Sequence, residues 1–252
     1  MDHDFVTAIT AAVRRLDHSY LAVQGPPGTG KTYTGARVIT TLVEGGWKVG
    51  VVAQSHAVVE NMLRGVVGAG LDPAKVGKRA GRTNPPWQVL TSPKDFRAFL
   101  GGGHSRSDGV LLGGTAWDFS NTNRVQRGEL DLLVIDEAGQ FSLANTIACG
   151  VSARSLLLLG DPQQLPQVSQ VTHPEPVDES ALGWLSDGKT LDPAFGYFLD
   201  QTYRMHPNLV GPVSKHSYEG KLTAHPVTAQ RAMTAADGSP VAPGVQERMV
   251  DH

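Results

Sequence analysis

Tyr20-Leu21-Ala22-Val23-Gln24 runs directly into Gly25-Pro26-Pro27-Gly28-Thr29-Gly30-Lys31-Thr32, and a helical pattern follows from Lys31 to about Glu44. The apolar stretch predicts a short strand, and Gly45-Gly46 is a helix stop. The segment between strand and helix fits GxxxxGK(S/T), a phosphate-binding loop. Its glycines let the backbone wrap close to phosphate oxygens, so that N–H groups and a helix N-terminus point at negative charge. Lys31 is expected to reach the β- and γ-phosphates of ATP and the Thr32 hydroxyl to complete a Mg2+ shell. The cofactors predicted are therefore ATP and Mg2+, bound by Gly25, Pro26, Pro27, Gly28, Thr29, Gly30, Lys31 and Thr32.

The same alternation continues outward. Lys48–Gln54 reads as a β-branched strand, with Ser55 as N-cap of a helix reaching about Val67. Further strands are expected at Gly109–Gly113, Asp131–Ile135 and Ser155–Leu159, with helices at about Pro93–Leu100 and Leu143–Val151. Short apolar strands alternating with helices predict an α/β domain whose parallel sheet is flanked by helices. An amphipathic helix is expected before the first strand, because Phe5, Ile9, Ala12, Val13 and Leu16 recur at helical spacing. After a Pro- and Gln-rich connector from Pro162 to Pro176, the sequence predicts a short helix near Glu179–Leu185. A strand at about Tyr197–Thr202 and a helix from Pro207 come next.

Asp136-Glu137 follows Leu132-Leu133-Val134-Ile135, which places the pair at the carboxyl end of a parallel strand, where such sheets bind ligands. Asp136 is expected to hold the metal through water, and Glu137 to activate the attacking water.

Four segments in order then carry a family resemblance: the Gly-Pro-Pro-Gly-Thr-Gly-Lys-Thr loop, Asp136-Glu137-Ala138-Gly139-Gln140, Gly160-Asp161-Pro162-Gln163-Gln164-Leu165-Pro166, and Gln201-Thr202-Tyr203-Arg204-Met205-His206-Pro207. Together they resemble superfamily 1 helicases of the DEAxQ group, which includes the nonsense-mediated-decay helicase. Val51–Val59 and Gly113–Trp117 look like that family's Ia and Ic segments. With Phe198-Leu199-Asp200, they look most like the helicase part of bacterial proteins that fuse a RecB-like nuclease to such a motor.

The resemblance implies a RecA-like P-loop domain that works with ATP and Mg2+ on single-stranded DNA or RNA, with a fused or associated nuclease as a further partner. It implies that Gln164 senses the γ-phosphate, that Tyr203 lies against adenine and that Arg204 reaches the γ-phosphate from a second domain. Gln140 would couple events within the site, and Ser55, His56 and Thr115 would line the strand groove. His206 and Pro207 are expected to shape a turn and helix start. Family members need two RecA-like domains, so residues 1–190 are expected to form the first and 191–252 the unfinished beginning of a second, its remainder being the missing partner. Residues past about Leu222 are expected to be mobile. The glutamine with which many members read adenine is absent upstream of Gln24, which leaves ATP over GTP open.

Composition bounds the rest. Hydrophobic residues at 40% and charged residues at 18% fit a globular chain, and Cys149 alone cannot form an internal disulfide. Net charge of −2 gives no global nucleic-acid signature. Locally, Lys75, Lys78, Arg79, Arg82, Lys94, Arg97 and Arg106 face only Asp72 and Asp95, as either a solvated loop region or a strand-contacting patch. No apolar run reaches the roughly 20 residues of a membrane span, and a cytoplasmic address is expected.

Overall fold

The computed structural model describes residues 4–79, 85–101, 109–165 and 173–231. In chain order the elements are α1 (Phe5–Val13), β1 (Tyr20–Gln24), α2 (Lys31–Glu44), β2 (Lys48–Val52), α3 (His56–Gly68), β3 (Val76–Arg79), β4 (Gln88–Leu90), α4 (Pro93–Gly101) and β5 (Val110–Gly114). Then follow α5 (Ala116–Phe119), β6 (Leu130–Asp136), α6 (Leu143–Gly150), β7 (Ala153–Gly160), α7 (Ala181–Ser186), β8 (Gly196–Phe198), β9 (Gln201–Thr202), α8 (Pro207–Ser217) and β10 (Thr223–Ala224). Arg82, Gly102, Gly103, Arg106 and Pro166 lie outside the described residues, as does residue 232 onward of the stretch expected to be mobile.

Eight strands form one sheet in the order β4-β3-β5-β2-β6-β7-β1-β8. Every pairing in it is parallel, so all carboxyl ends share one edge. Alternation along each strand divides the core in two. Leu21, Val23, Leu132, Val134, Leu157 and Leu159 pack under α1, α2 and α3 with Ile9, Val38, Ile39, Met62 and Leu63. Ala22, Leu133, Ile135 and Leu158 face the other way, onto Phe96, Phe99, Phe119, Phe141, Cys149 and Leu182. Strands buried on both faces are why they read as unbroken apolar runs.

Two segments differ from the sequence expectation. The region after α3 contains β3 and β4, two short strands that extend the sheet to its far edge. The expected strand over Tyr197–Thr202 is two: β8 joins the large sheet beside β1, and β9 pairs in parallel with β10 in a separate two-stranded sheet. Leu199 N donates to the Gln24 carbonyl at 2.8 Å, and the chain leaves the large sheet there. Beyond that point a small cluster of its own forms from Val210, Tyr218 and Leu222, with Phe198, Met205 and Val213 against it. His206 caps α8 by accepting from Asn208 N, and Pro207 occupies the first turn, as their expected turn-shaping role requires.

Candidate functional site

At the tip of β1 the phosphate loop is held by its own backbone. Gly25 N donates to Gly160 O at 2.9 Å, and Thr29 Oγ1 donates to Pro26 O at 2.8 Å. Gly28 and Gly30 both have positive φ, and Gly30 is the N-cap of α2 with no side chain to satisfy the first helical N–H groups. Those donors point into the loop, which makes it an anion site. Lys31 Nζ donates to Gly25 O at 2.6 Å, so its ammonium sits inside the loop's own curve.

The segment after β9 closes on this loop from the other side. Thr202 Oγ1 donates to Pro27 O at 2.8 Å, and Tyr203 N donates to Gly28 O at 2.9 Å. Approach is so close that a Cβ on Gly28 would lie 2.2 Å from Arg204 Cβ. Glycine is required there for space as well as for φ. Between the two walls lies a cleft of about 470 Å3, lined by Pro27–Tyr33, Glu137, Gln164, Tyr203, Arg204 and Arg231. Half-exposed Tyr203 stacks on His225 with ring centroids 4.5 Å apart, and Arg231 Nη2 donates to the Tyr203 carbonyl at 2.9 Å.

The floor is acidic. Asp136, at the carboxyl end of β6, is buried, and its pKa is pushed up to about 7, first by burial and then by the Glu137 charge. The Glu137 N–H bond and Lys31 pull the other way. Glu137 has φ +55, a left-handed conformation that turns the chain sharply after the strand. Gly139 and Gly160 let the next two loops meet backbone to backbone: a Cβ on Gly139 would lie 2.2 Å from Asp161 O.

Asp161 is the hub beneath the cleft. It is buried, and it accepts from Gln24 Nε2 and Gln164 Nε2, each at 3.3 Å, from Gln163 N at 3.2 Å and from Tyr218 Oη at 2.7 Å. Gln24 Oε1 in turn accepts from Leu191 N at 2.7 Å. One carboxylate therefore ties β1, β7 and the end of α8 to the glutamine that faces the cleft.

Of the residues singled out in the sequence, Lys31, Thr32, Glu137, Gln164, Tyr203 and Arg204 come together around this cleft, with Pro27–Gly30 as its wall. Asp136 lies beneath it. Gln140 is not among the lining residues; its carbonyl is held by the Gln54 side-chain amide. Ser55, His56 and Thr115 stand apart, beyond the carboxyl ends of β2 and β5. Tyr33, Arg231, Asp161 and Tyr218 were missed. Arg231 lies beyond Leu222, Tyr218 caps the end of α8, and Asp161 stood inside the quoted Gly160–Pro166 segment without a role given to it.

The family model that matches residues 7–174 is described as an AAA domain. The chain belongs to that family. This AAA domain is 26% identical over 213 residues to the DNA replication ATP-dependent helicase/nuclease DNA2 of Homo sapiens, covering 82% of the chain and 20% of that protein. It is also 26% identical over 270 residues to the DNA-binding protein SMUBP-2 of Mesocricetus auratus, covering 82% of the chain and 26% of that protein. The chain thus spans about a fifth to a quarter of these relatives. Among solved structures, an Arterivirus nonstructural protein 10 (helicase) in complex with DNA is similar, with a TM-score of 0.54 at 17% identity over 92% of this chain and 46% of that one. The fold of this AAA domain is therefore that of a helicase P-loop domain, and its homology is to helicases.

Proposed function

We propose that the chain is the nucleotide-binding motor part of an ATP-dependent helicase or translocase acting on single-stranded nucleic acid. The observation that carries this reading is the two-sided cleft: Thr202 and Tyr203 hydrogen-bond onto the phosphate loop, so Arg204 and Tyr203 face the same space as Lys31, Glu137 and Gln164. In this reading residues 1–190 make the first motor domain and the second begins within 191–252, after β8 has joined the first domain's sheet and the chain has left it at Leu199.

The residues fit Mg-ATP. A loop that admits no Cβ at Gly28, an ammonium within it and the uncapped start of α2 suit phosphates. Two adjacent carboxylates, one buried, suit a cation. Thr32 and Asp136 would hold the metal, which when bound would neutralise charge on the β- and γ-oxygens. Lys31 binds the phosphates, and Glu137 takes the proton of the attacking water. Gln164, oriented by Asp161, registers the γ-phosphate. Arg204 adds positive charge from the far wall, and Tyr203, backed by His225, offers a ring face to the base. Gln140 couples the acidic loop to Gln54 through its backbone. Ser55, His56 and Thr115 contact the strand.

The reading places the chain nearest motors that carry a nuclease, in keeping with the helicase/nuclease names among its relatives. Among the described residues no helix is long and apolar enough to cross a membrane, and we propose a cytoplasmic address. A ring-forming AAA+-type ATPase would account for Gly25–Thr32 and Asp136-Glu137. It gives no reason for Gln164, Tyr203 and Arg204 to meet them.

The test is titration of a fluorescent ATP analogue with Mg2+ into the chain and into Lys31→Ala, followed by ATPase assays with and without single strands. Lys31→Ala should weaken binding by about a hundredfold, the worth of two charge-assisted hydrogen bonds. Equal binding by both proteins would end the proposal. A second reading, that this chain alone holds Mg-ATP but hydrolyses it slowly, is favoured by the short span, from β9 to Arg231, that forms the far wall. Turnover matching that of a longer chain would refute it.

A further inference from the structure

The far wall of the cleft holds an arginine well beyond the Gln201–Pro207 segment, and a chain of hydrogen bonds puts it there. β9 and β10 pair with Thr202 beside Ala224, and His225 N donates to Thr202 O at 2.9 Å. His225 then caps a short 3-10 helix, Pro226–Gln230, its ring Nδ1 accepting from Val227 N at 3.2 Å. Buried Thr228 locks that turn, with Oγ1 donating to His225 O at 2.8 Å. Arg231 N closes the unit on Thr228 O at 3.1 Å, and the side chain folds back so that Nη2 donates to Tyr203 O at 2.9 Å. The wall thus leaves the phosphate loop at Tyr203 and returns to the same residue through Arg231.

An exposed arginine has much rotamer freedom to lose when it is held in one place. Arg231 is exposed, yet its backbone is fixed by Thr228 and its tip by a neutral carbonyl. That bond uses one donor and leaves most of the guanidinium open. Arg231 has no carboxylate partner among the described residues, and neither have Lys31 and Arg204. All three line the cleft, where Glu137 is the one carboxylate among the described lining residues. A planar fork of donors in a cation-rich cleft suits phosphate oxygens, which it can meet in pairs.

We propose that Arg231 binds the phosphate chain of the nucleoside triphosphate, as a second arginine of the far wall beside Arg204. This rests on the functional reading above and deepens it. Both guanidinium groups and the Tyr203 ring come from one local unit, residues 201–231, so this chain itself supplies two arginines to the far side of the nucleotide.

The test is titration calorimetry with Mg-ATP and ligand-detected NMR with adenosine, on the unaltered chain, Arg231→Gln and Lys31→Ala. Glutamine keeps a donor for the Tyr203 carbonyl and removes the charge. Arg231→Gln should weaken ATP binding about tenfold, the worth of one charge-assisted hydrogen bond. Adenosine binding should change less than about twofold, and the melting temperature should stay the same. Equal loss for ATP and adenosine would make Arg231 a brace for Tyr203 and overturn the proposal, as would no loss for either. If Arg231→Gln has no effect while Lys31→Ala weakens ATP binding, this inference alone falls. If Lys31→Ala binds ATP as tightly as the unaltered chain, the functional reading falls with it.

Discussion

The two halves of the sheet's carboxyl edge are built in opposite ways. Over β6, β7, β1 and β8 the loops interlock: Gly25 on Gly160, Gly139 on Asp161, Gly28 under Arg204, with Asp136 and Asp161 buried among them. Over β4, β3, β5 and β2 the loops present Arg79, Lys94, Trp117 and His56 to solvent with few internal partners. Strand direction alone places both halves at a ligand-binding edge. The difference lies in where polar groups are satisfied. The closed half satisfies its hydrogen bonds internally; the open half leaves Arg79, Lys94 and Arg97 without a carboxylate partner among the described residues.

The largest expected effect that would break this contrast is on stability and belongs to the closed half. Burial pushes the Asp136 carboxyl up to about 7, from an ordinary aspartate value of 3.8. Between those values the folded chain keeps a proton that the unfolded chain has released. Stability should therefore fall as pH rises from about 4 to about 7 and be level above that. Asp136→Asn removes this dependence. The difference between the two proteins across the window should be on the order of 4 kcal/mol at one pH unit per 1.36 kcal/mol. Denaturant unfolding at several pH values measures it, and parallel curves would show that Asp136 is not held protonated.

Next in size is Tyr218→Phe. It strips a hydrogen bond from buried Asp161, which should cost about 1–3 kcal/mol. If the hub orients Gln164, the preference for ATP over ADP should fall as well, which a purely structural loss would leave alone; calorimetry with both nucleotides separates the two.

The smallest effect belongs to the open half. Arg79→Ala, Lys94→Ala and Arg97→Ala should each move stability by no more than about 0.5 kcal/mol. Each should lower the slope of log affinity against log salt for single strands by about 0.7. A stability loss as large as that of Tyr218→Phe would put these residues in the closed class.

Much of the closed half could be read in the sequence, because its chemistry is local. A strand, a glycine loop and a helix follow one another within Tyr20–Glu44, and Asp136 sits on its own strand tip. The Tyr218–Asp161 bond could not be read, since it joins residues 57 apart across a Pro- and Gln-rich connector. β3 was hidden because Lys78 looks like a surface residue in Val76-Gly77-Lys78-Arg79. It is 1% exposed, and Glu60 at 3.1 Å makes that burial tolerable. Trp117 stood in plain view within a recognised segment, but its exposure depends on Phe119 and Asp118 turning inward around a four-residue helix.

The position of β1 has a consequence for how the chain is made. Its sheet neighbours are β7 and β8, so the strand that precedes the phosphate loop finds its first partner only when residues 153–160 exist. At about 5–20 residues per second of synthesis, Leu21-Ala22-Val23 waits on the order of ten seconds without a strand beside it. During that interval Gly25 has no Gly160 carbonyl to bind and the loop has no fixed curve. On the proposed reading the nucleotide site is thus completed late, only once β7 lies beside β1.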